Sequence, residues 1–181
     1  MSTQTLIAAP QRLAPCIVLI GMAGAGKSTV GKEIARLTGW AYMDTDHLLE
    51  AAYAAPLQRV ADAFDKKTFI RAEGEMICSI RASRAVIATG GSVVYHGAAM
   101  RHLTGLGAVV YLDVPFAVIE QRIAAKPDRG LAIAPGQTLS GLFAERDPLY
   151  KAWATLRCDA GRKNPRQCAR WIVERLKRET N

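Results

Sequence analysis

Apolar positions along this chain come in short blocks separated by segments of helical period, rather than alternating residue by residue. CIVLI (16–20) is a continuous apolar run, the pattern of a strand buried on both faces. A glycine-rich turn follows, then a helix-period segment over about 27–38 that Gly39 ends. WAYMD (40–44) reads as a second strand, followed by a short helix after Asp46 and a longer one across DKKTFIRAEGEMICSIRAS (65–83). AVIAT (85–89), closed by Gly90 and Gly91, is a third strand. AVVYLD (108–113) is a fourth, leading into the helix PFAVIEQRIAAK with Pro115 in its first turn. DRGLAIAPGQ (128–137) has no clear period. TLSGLFAERDPLYKAWA (138–154) is helical with an interruption near Pro148, TLRC (155–158) is a last strand, and a basic helix starts near Pro165.

Strands that alternate with helices predict an α/β fold, a parallel sheet covered by helices on both faces in three αβα layers. The 181 residues contain no repeat, low-complexity tract or linker, so we expect one domain, with residues 1–14 as an N-terminal extension.

Composition narrows the setting. No apolar run reaches the roughly 18 residues of a membrane span, and MSTQTLIAAPQRLAP lacks the basic start and apolar stretch of a signal peptide. Cys16, Cys78, Cys158 and Cys168 form no CxxC or CxxH pair, which argues against zinc and fits a reducing cytoplasm. The net charge is +8, and Arg162, Lys163, Arg166, Arg170, Arg175, Lys177 and Arg178 crowd the end of the chain. Only Trp171 interleaves that cluster, so we read a solvated helix face plus phosphate-binding charge ahead of a nucleic-acid partner.

The chemistry begins at GMAGAGKS (21–28), a G-x-x-x-x-G-K-[ST] match with a strand before it and a helix after it. Such a loop turns its backbone N–H groups onto a phosphate at a helix N-terminus. The nucleotide-binding set is Gly21, Gly24, Ala25, Gly26, Lys27, Ser28 and Thr29, with Lys27 reaching the outer phosphates and Ser28 a ligand for Mg²⁺. No NKxD occurs, which argues against a GTPase. Asp44 and Asp113, both at strand ends, compete for the carboxylate on the Mg²⁺ side, and Asp113 has the alternative of capping the helix at Pro115. Asp46 follows Asp44 by two residues. On an extended chain the two acids share a face roughly 7 Å apart, at the strand end where ligands bind in open α/β sheets. Asp46 has the alternative of capping the next helix.

GMAGAGKSTVG, YMDTDHLLE, FIRAE, VIATGGS, DRGL and ERDPLY, in that order over about 16–160, resemble the shikimate kinase family of small P-loop kinases. The resemblance implies transfer of the γ-phosphate of ATP, with Mg²⁺, to a hydroxyl of a small carboxylated alcohol, shikimate by default, by a monomer with a mobile lid at about 127–138. It assigns Lys27 to the phosphates, Ser28 and Asp44 to Mg²⁺, and Asp46 to the acceptor hydroxyl as candidate base. It assigns Arg129 in the lid to the transferring phosphate, and Phe69, Glu73, Gly90, Gly91, Ser92 and Arg146 to the acceptor, Arg146 facing its carboxylate. Lys27, Asp46 and Arg129 are thus the catalytic set.

Three positions depart from the family pattern. Ile70 stands where the family has an arginine for the acceptor carboxylate, Ser92 where it has a third glycine, and Gly130 where proline often follows the lid arginine. Arg71 lies about 100° further round a helix and does not replace the missing guanidinium. These departures leave another hydroxy acid or amino acid, homoserine first, as the alternative acceptor. A regulator or RNA-associated protein that binds nucleotide without catalysis is the alternative from another class. Arg146 has the local alternatives Glu145 and Asp147. His47, His96 and His102 show no ligand spacing and are read as non-catalytic, and the Tyr and Trp residues as packing.

Overall fold

The computed structural model describes residues 15–125 and 136–179. Its centre is β1 (Cys16–Ile20), whose five side chains are all buried because helices cover both faces of the sheet. The other strands are β2 (Ala41–Asp44), β3 (Ala85–Ala88), β4 (Gly107–Asp113) and β5 (Leu156–Asp159), and all five are parallel in the order β2-β3-β1-β4-β5. The register aligns Asp44 with Ala88 and Ala88 with Leu19, so the carboxyl ends of β2, β3 and β1 open side by side. That edge is where an open parallel sheet binds its ligand.

The connecting helices are α1 (Lys27–Thr38), α2 (Thr45–Tyr53), α3 (Leu57–Ala63), α4 (Lys66–Ser79), α5 (Gly97–Leu106), α6 (Phe116–Ala124), α7 (Leu139–Trp153) and α8 (Pro165–Glu179). The main core gathers both faces of the sheet. Leu49 of α2, Val60 of α3 and Phe69 of α4 form a second, separate apolar cluster under the β2–β3 crossover.

The crossover holds one more helix than the periodicity predicts. Pro56 ends the connection after α2 and starts α3, and α4 begins at Asp65, whose carboxylate accepts from the Thr68 N–H at 2.8 Å. α4 stops at Ser79 rather than continuing to 83. α5 is also unannounced by composition, since it contains Gly97 and Gly105, yet it buries Ala99, Met100 and Leu103 on one side. The expected interruption at Pro148 does not occur: α7 runs through it. An interior proline costs about 3 kcal/mol. Fully burying a leucine side chain such as Leu142 contributes about 1.5–3 kcal/mol, and Arg146 and Tyr150 are buried on the same stripe, so tertiary burial outweighs the lost hydrogen bond.

Candidate active site

The turn between β1 and α1 holds its shape because Gly26, at φ 94°, takes a left-handed conformation just ahead of the helix. Lys27 opens α1, and its ammonium donates to the carbonyls of Gly21 at 2.7 Å and Met22 at 2.9 Å. One residue on, the Ser28 hydroxyl donates to Asp44 Oδ2 at 2.9 Å. Tyr42, on the same face of β2 as Asp44, donates its hydroxyl to that oxygen too, also at 2.9 Å. The Asp46 N–H donates to Asp44 Oδ1 at 3.2 Å, making Asp44 the cap of α2. Three donors therefore fix one carboxylate beside the P-loop.

This geometry settles two alternatives. The chain turns helical at Thr45, so Asp46 sits in the first turn of α2 instead of on an extension of β2, and the capping role belongs to Asp44. Asp113 does not cap α6, whose cap is Pro115, and lines neither cavity beside the P-loop; its Oδ2 accepts from Arg157 Nη2 at 2.7 Å.

Across the cavity stand the acids and the arginine of the other half. Glu73 of α4 is 2% exposed, and its Oε2 accepts from the Ser92 hydroxyl at 2.6 Å. A Cβ on Gly90 would collide with Glu73 Oε1 and stand 2.9 Å from Asp46 Oδ1, so the two carboxyls converge on a bare Cα. The Thr45 hydroxyl, accepting from the Gly90 N–H at 3.1 Å, ties this turn to the start of α2. Burial pushes the Glu73 carboxyl up to about 7, with the Asp46 charge adding and the Ser92 bond opposing. Burial also raises the Asp46 carboxyl, against the pull of Lys27.

Arg146 is 3% exposed; its Nε donates to the Tyr95 hydroxyl at 3.2 Å, and its Nη2 is buried with no partner among the described residues. The Gly91 backbone lies against its Nη1, and Tyr150, one turn further along α7, donates its hydroxyl to the Gly91 carbonyl at 2.7 Å. Neither acid beside Arg146 takes the guanidinium. Glu145 accepts from Gln137 at 2.6 Å, and Asp147 accepts from Tyr111 at 2.9 Å and pairs with Lys151. A buried guanidinium with an unsatisfied N–H is a binding group for an anion.

One cavity of about 340 Å³ joins the two halves: Gly24, Gly26, Lys27, Ser28 and Asp44 on one side, and Asp46, Phe69, Glu73, Gly90, Gly91, Ser92 and Arg146 on the other. Ala25 and Thr29 line an adjoining cavity of about 360 Å³ with Arg122, Lys163 and Cys168. Ile70, half-buried, and Arg71 line neither. Arg129, Gly130 and most of the expected lid lie outside the described residues.

Sequence reasoning missed Pro56, Leu57, Gln58 and Ala61 around α3, and His47 and Glu50 of α2, all of which line the first cavity. Three tyrosines read as packing instead hold site groups: Tyr42 on Asp44, Tyr95 on Arg146 and Tyr150 on Gly91. Tyr42 was findable, being two residues before Asp44 on a strand, and Tyr150 is four after Arg146 on a helix. Among the terminal basic residues, Arg162 pairs with Asp159 at 3.9 Å, Arg166 pairs with Glu33 at 3.8 Å, and Lys163 donates to the Asp159 carbonyl at 3.4 Å.

No group of three or more His, Cys, Asp or Glu residues suits a metal among the described residues. The Ser28 hydroxyl and Asp44 carboxylate, 2.9 Å apart, do fit Mg²⁺, which takes one or two protein oxygens and completes its shell with phosphate and water. Among the described residues, no helix is long and apolar enough to cross a membrane.

The shikimate kinase family model matches residues 23–177 of the chain. A shikimate kinase of Aromatoleum aromaticum is 34% identical over 163 residues, covering 88% of this chain and 93% of that protein. One of Halorhodospira halophila is 37% identical over 163 residues, 88% and 92% of the two chains. The solved structure of shikimate kinase from Acinetobacter baumannii in complex with shikimate matches with a TM-score of 0.77 and 30% identity, over 93% of this chain and 96% of that one.

Proposed function

Because the chain belongs to the shikimate kinase family, we propose that it transfers the γ-phosphate of ATP to a hydroxyl of shikimate, giving shikimate phosphate and ADP. The observation that carries this reading is the single cavity in which a phosphate-binding loop faces a buried, anion-seeking Arg146 and the acids Asp46 and Glu73.

In this reading the acceptor's carboxylate takes the unsatisfied Nη2 of Arg146, which turns a hydroxyl towards Asp46. Asp46 accepts that hydroxyl's proton as its oxygen bonds to the γ-phosphorus, and the bond from the γ-phosphorus to the β-phosphate oxygen breaks in line. Lys27 leaves the Gly21 and Met22 carbonyls for the phosphate oxygens, and the N-terminus of α1 adds its dipole to the charge it stabilises. Ser28 and Asp44 would hold Mg²⁺, which would supply positive charge to the phosphates of ATP. The residue that would meet the transferring phosphate is Arg129, a role implied by the family resemblance alone. Glu73 and Ser92 set the acceptor-side wall that Gly90 and Gly91 close. The enzyme works as one kinase domain and a monomer in the cytoplasm, its four cysteines reduced.

ADP release with Mg·ATP, measured against shikimate, homoserine, threonine and gluconate, tests the reading, with ³¹P NMR to identify the product. We expect turnover on shikimate. Turnover on another hydroxy acid with none on shikimate would replace the acceptor and leave the kinase chemistry standing.

A further inference from the structure

The acceptor half has a gap in its charge arithmetic. Arg146 offers one guanidinium edge, while a carboxylate has about four lone-pair sites and takes its strongest bonds from cations. Ile70, at the position where the family resemblance calls for a second guanidinium, provides none and does not line the cavity. Arg71 does not compensate, because it points to the exposed face of α4 and pairs with Glu75 at 3.9 Å.

A second cation stands behind Arg146 on the Tyr95 ring, one helical turn before Ile70, although like Ile70 it does not line the cavity in the ligand-free chain. Lys66 Nζ lies 5.1 Å from the centroid of the Tyr95 ring, and the Arg146 guanidinium carbon lies 5.2 Å from the same centroid. The ring whose hydroxyl orients Arg146 therefore also carries the Lys66 ammonium. Lys66, Ile70 and Glu73 fall at i, i+4 and i+7 on one face of α4, and Glu73 lines the cavity.

We propose that Lys66 is the second cation of the acceptor's carboxylate site, acting beside Arg146 on the Tyr95 ring in place of an arginine at position 70. This rests on the kinase reading above and names a specificity-determining residue within it.

The resting partner of Lys66 is easily exchanged. Its ammonium is 3.8 Å from Glu145 Oε1, with the two side chains 37% and 41% exposed, a long and solvated pair of the kind that contributes little. Glu145 keeps the Gln137 amide at 2.6 Å when Lys66 leaves it. A four-carbon stem lets the ammonium swing from Glu145 to a ligand carboxylate with the Tyr95 face as its pivot. The chemistry of the pocket follows from the exchange: one fixed planar fork from Arg146 and one mobile point charge from Lys66. Such a pair holds a carboxylate with less geometric strictness than two forks.

The test compares wild type, Lys66→Met, Lys66→Gln and Lys66→Arg in steady-state turnover with Mg·ATP, using shikimate and its uncharged methyl ester as acceptors. We expect Met and Gln to raise KM for shikimate about tenfold, the loss of one charge-assisted hydrogen bond. The change in kcat should be much smaller, and KM for ATP should hold. Arg should restore KM, and the ester should not distinguish the four proteins, because the charge that Lys66 meets is gone. An unchanged KM for shikimate in Met and Gln, or an equal loss on acid and ester, overturns the assignment. If another carboxylated alcohol replaces shikimate as the acceptor, the default acceptor falls while the same comparison on that alcohol decides Lys66. If no carboxylated alcohol is turned over, both fall.

Discussion

Replacing Glu73 by Gln removes a buried group that titrates in the neutral range. The sign follows from linkage. The carboxyl has a usual value of 4.5 and is pushed up to about 7 in the folded chain, chiefly by burial. Between those values the unfolded chain has released a proton that the folded chain still holds, so stability falls with rising pH by about 1.4 kcal/mol per pH unit. The fall starts near 4.5 and levels off above about 7, a total of about 3 kcal/mol. Gln keeps a carbonyl oxygen to accept from Ser92, as Oε2 does now at 2.6 Å, and does not titrate. Urea unfolding of both ligand-free proteins from pH 4 to 8 reads the effect. The stability of the Gln variant relative to wild type should rise by about 3 kcal/mol across that range. A relative stability that stays flat would refute the claim that Glu73 is desolvated and protonated in the fold. Ser92→Gly extends the argument, since losing the hydroxyl's donation raises the folded-state value further and carries the decline to higher pH.

Further outcomes concern the proposed chemistry. Asp46→Asn should bind ATP normally while kcat falls by about 10²–10⁴, the range for loss of a general base; near-normal turnover would remove Asp46 from the mechanism. Arg146→Met should raise KM for shikimate about 30-fold or more, matching the loss of about 2–3 kcal/mol from hydrogen bonds to a charged group. Its ligand-free thermal midpoint should not drop, because the variant also removes a buried, unsatisfied N–H; a large drop would mean that Arg146 serves the fold. Tyr42→Phe should raise the Mg²⁺ concentration needed for half-maximal turnover several-fold, since one of the two hydroxyls on Asp44 Oδ2 is lost, and an unchanged requirement would show that Ser28 and the Asp46 N–H suffice to orient the acid.

Much of this arrangement was legible in the residues because local pattern and site coincide. CIVLI followed by GMAGAGKS specifies a buried strand, a phosphate turn and a helix in consecutive residues, and all three form there. Asp44 and Asp46 were readable as neighbours, but not the fact that Asp44 ends the strand and caps the next helix. That depends on Ser28 and Tyr42 reaching it from either side. The crossover was the least legible part. α3 is seven residues long and weakly periodic, and its role as a cavity wall depends on Val60 packing against Leu49 and Phe69 on the two neighbouring helices, contacts that no single helical period announces. Pro148 misled for a related reason: a local rule for helix breaking lost to the burial of Leu142, Arg146 and Tyr150. Lys66 carries no motif at all. Its meaning appears only when α4, the turn at Tyr95 and α7 come together around one aromatic ring.

The separate cluster of Leu49, Val60 and Phe69 has a consequence for how such an enzyme changes its substrate. The stretch from α2 through α4 is contiguous between two neighbouring strands, and it packs partly upon itself. It carries Asp46, Lys66, Phe69, Ile70 and Glu73, while the ATP loop lies on a different strand with its own core. Substitutions in this stretch can therefore retune the acceptor side while the ATP loop keeps its own strand, provided that the Asp46 N–H still donates to Asp44. A graft of residues 45–79 from a relative is the engineering counterpart.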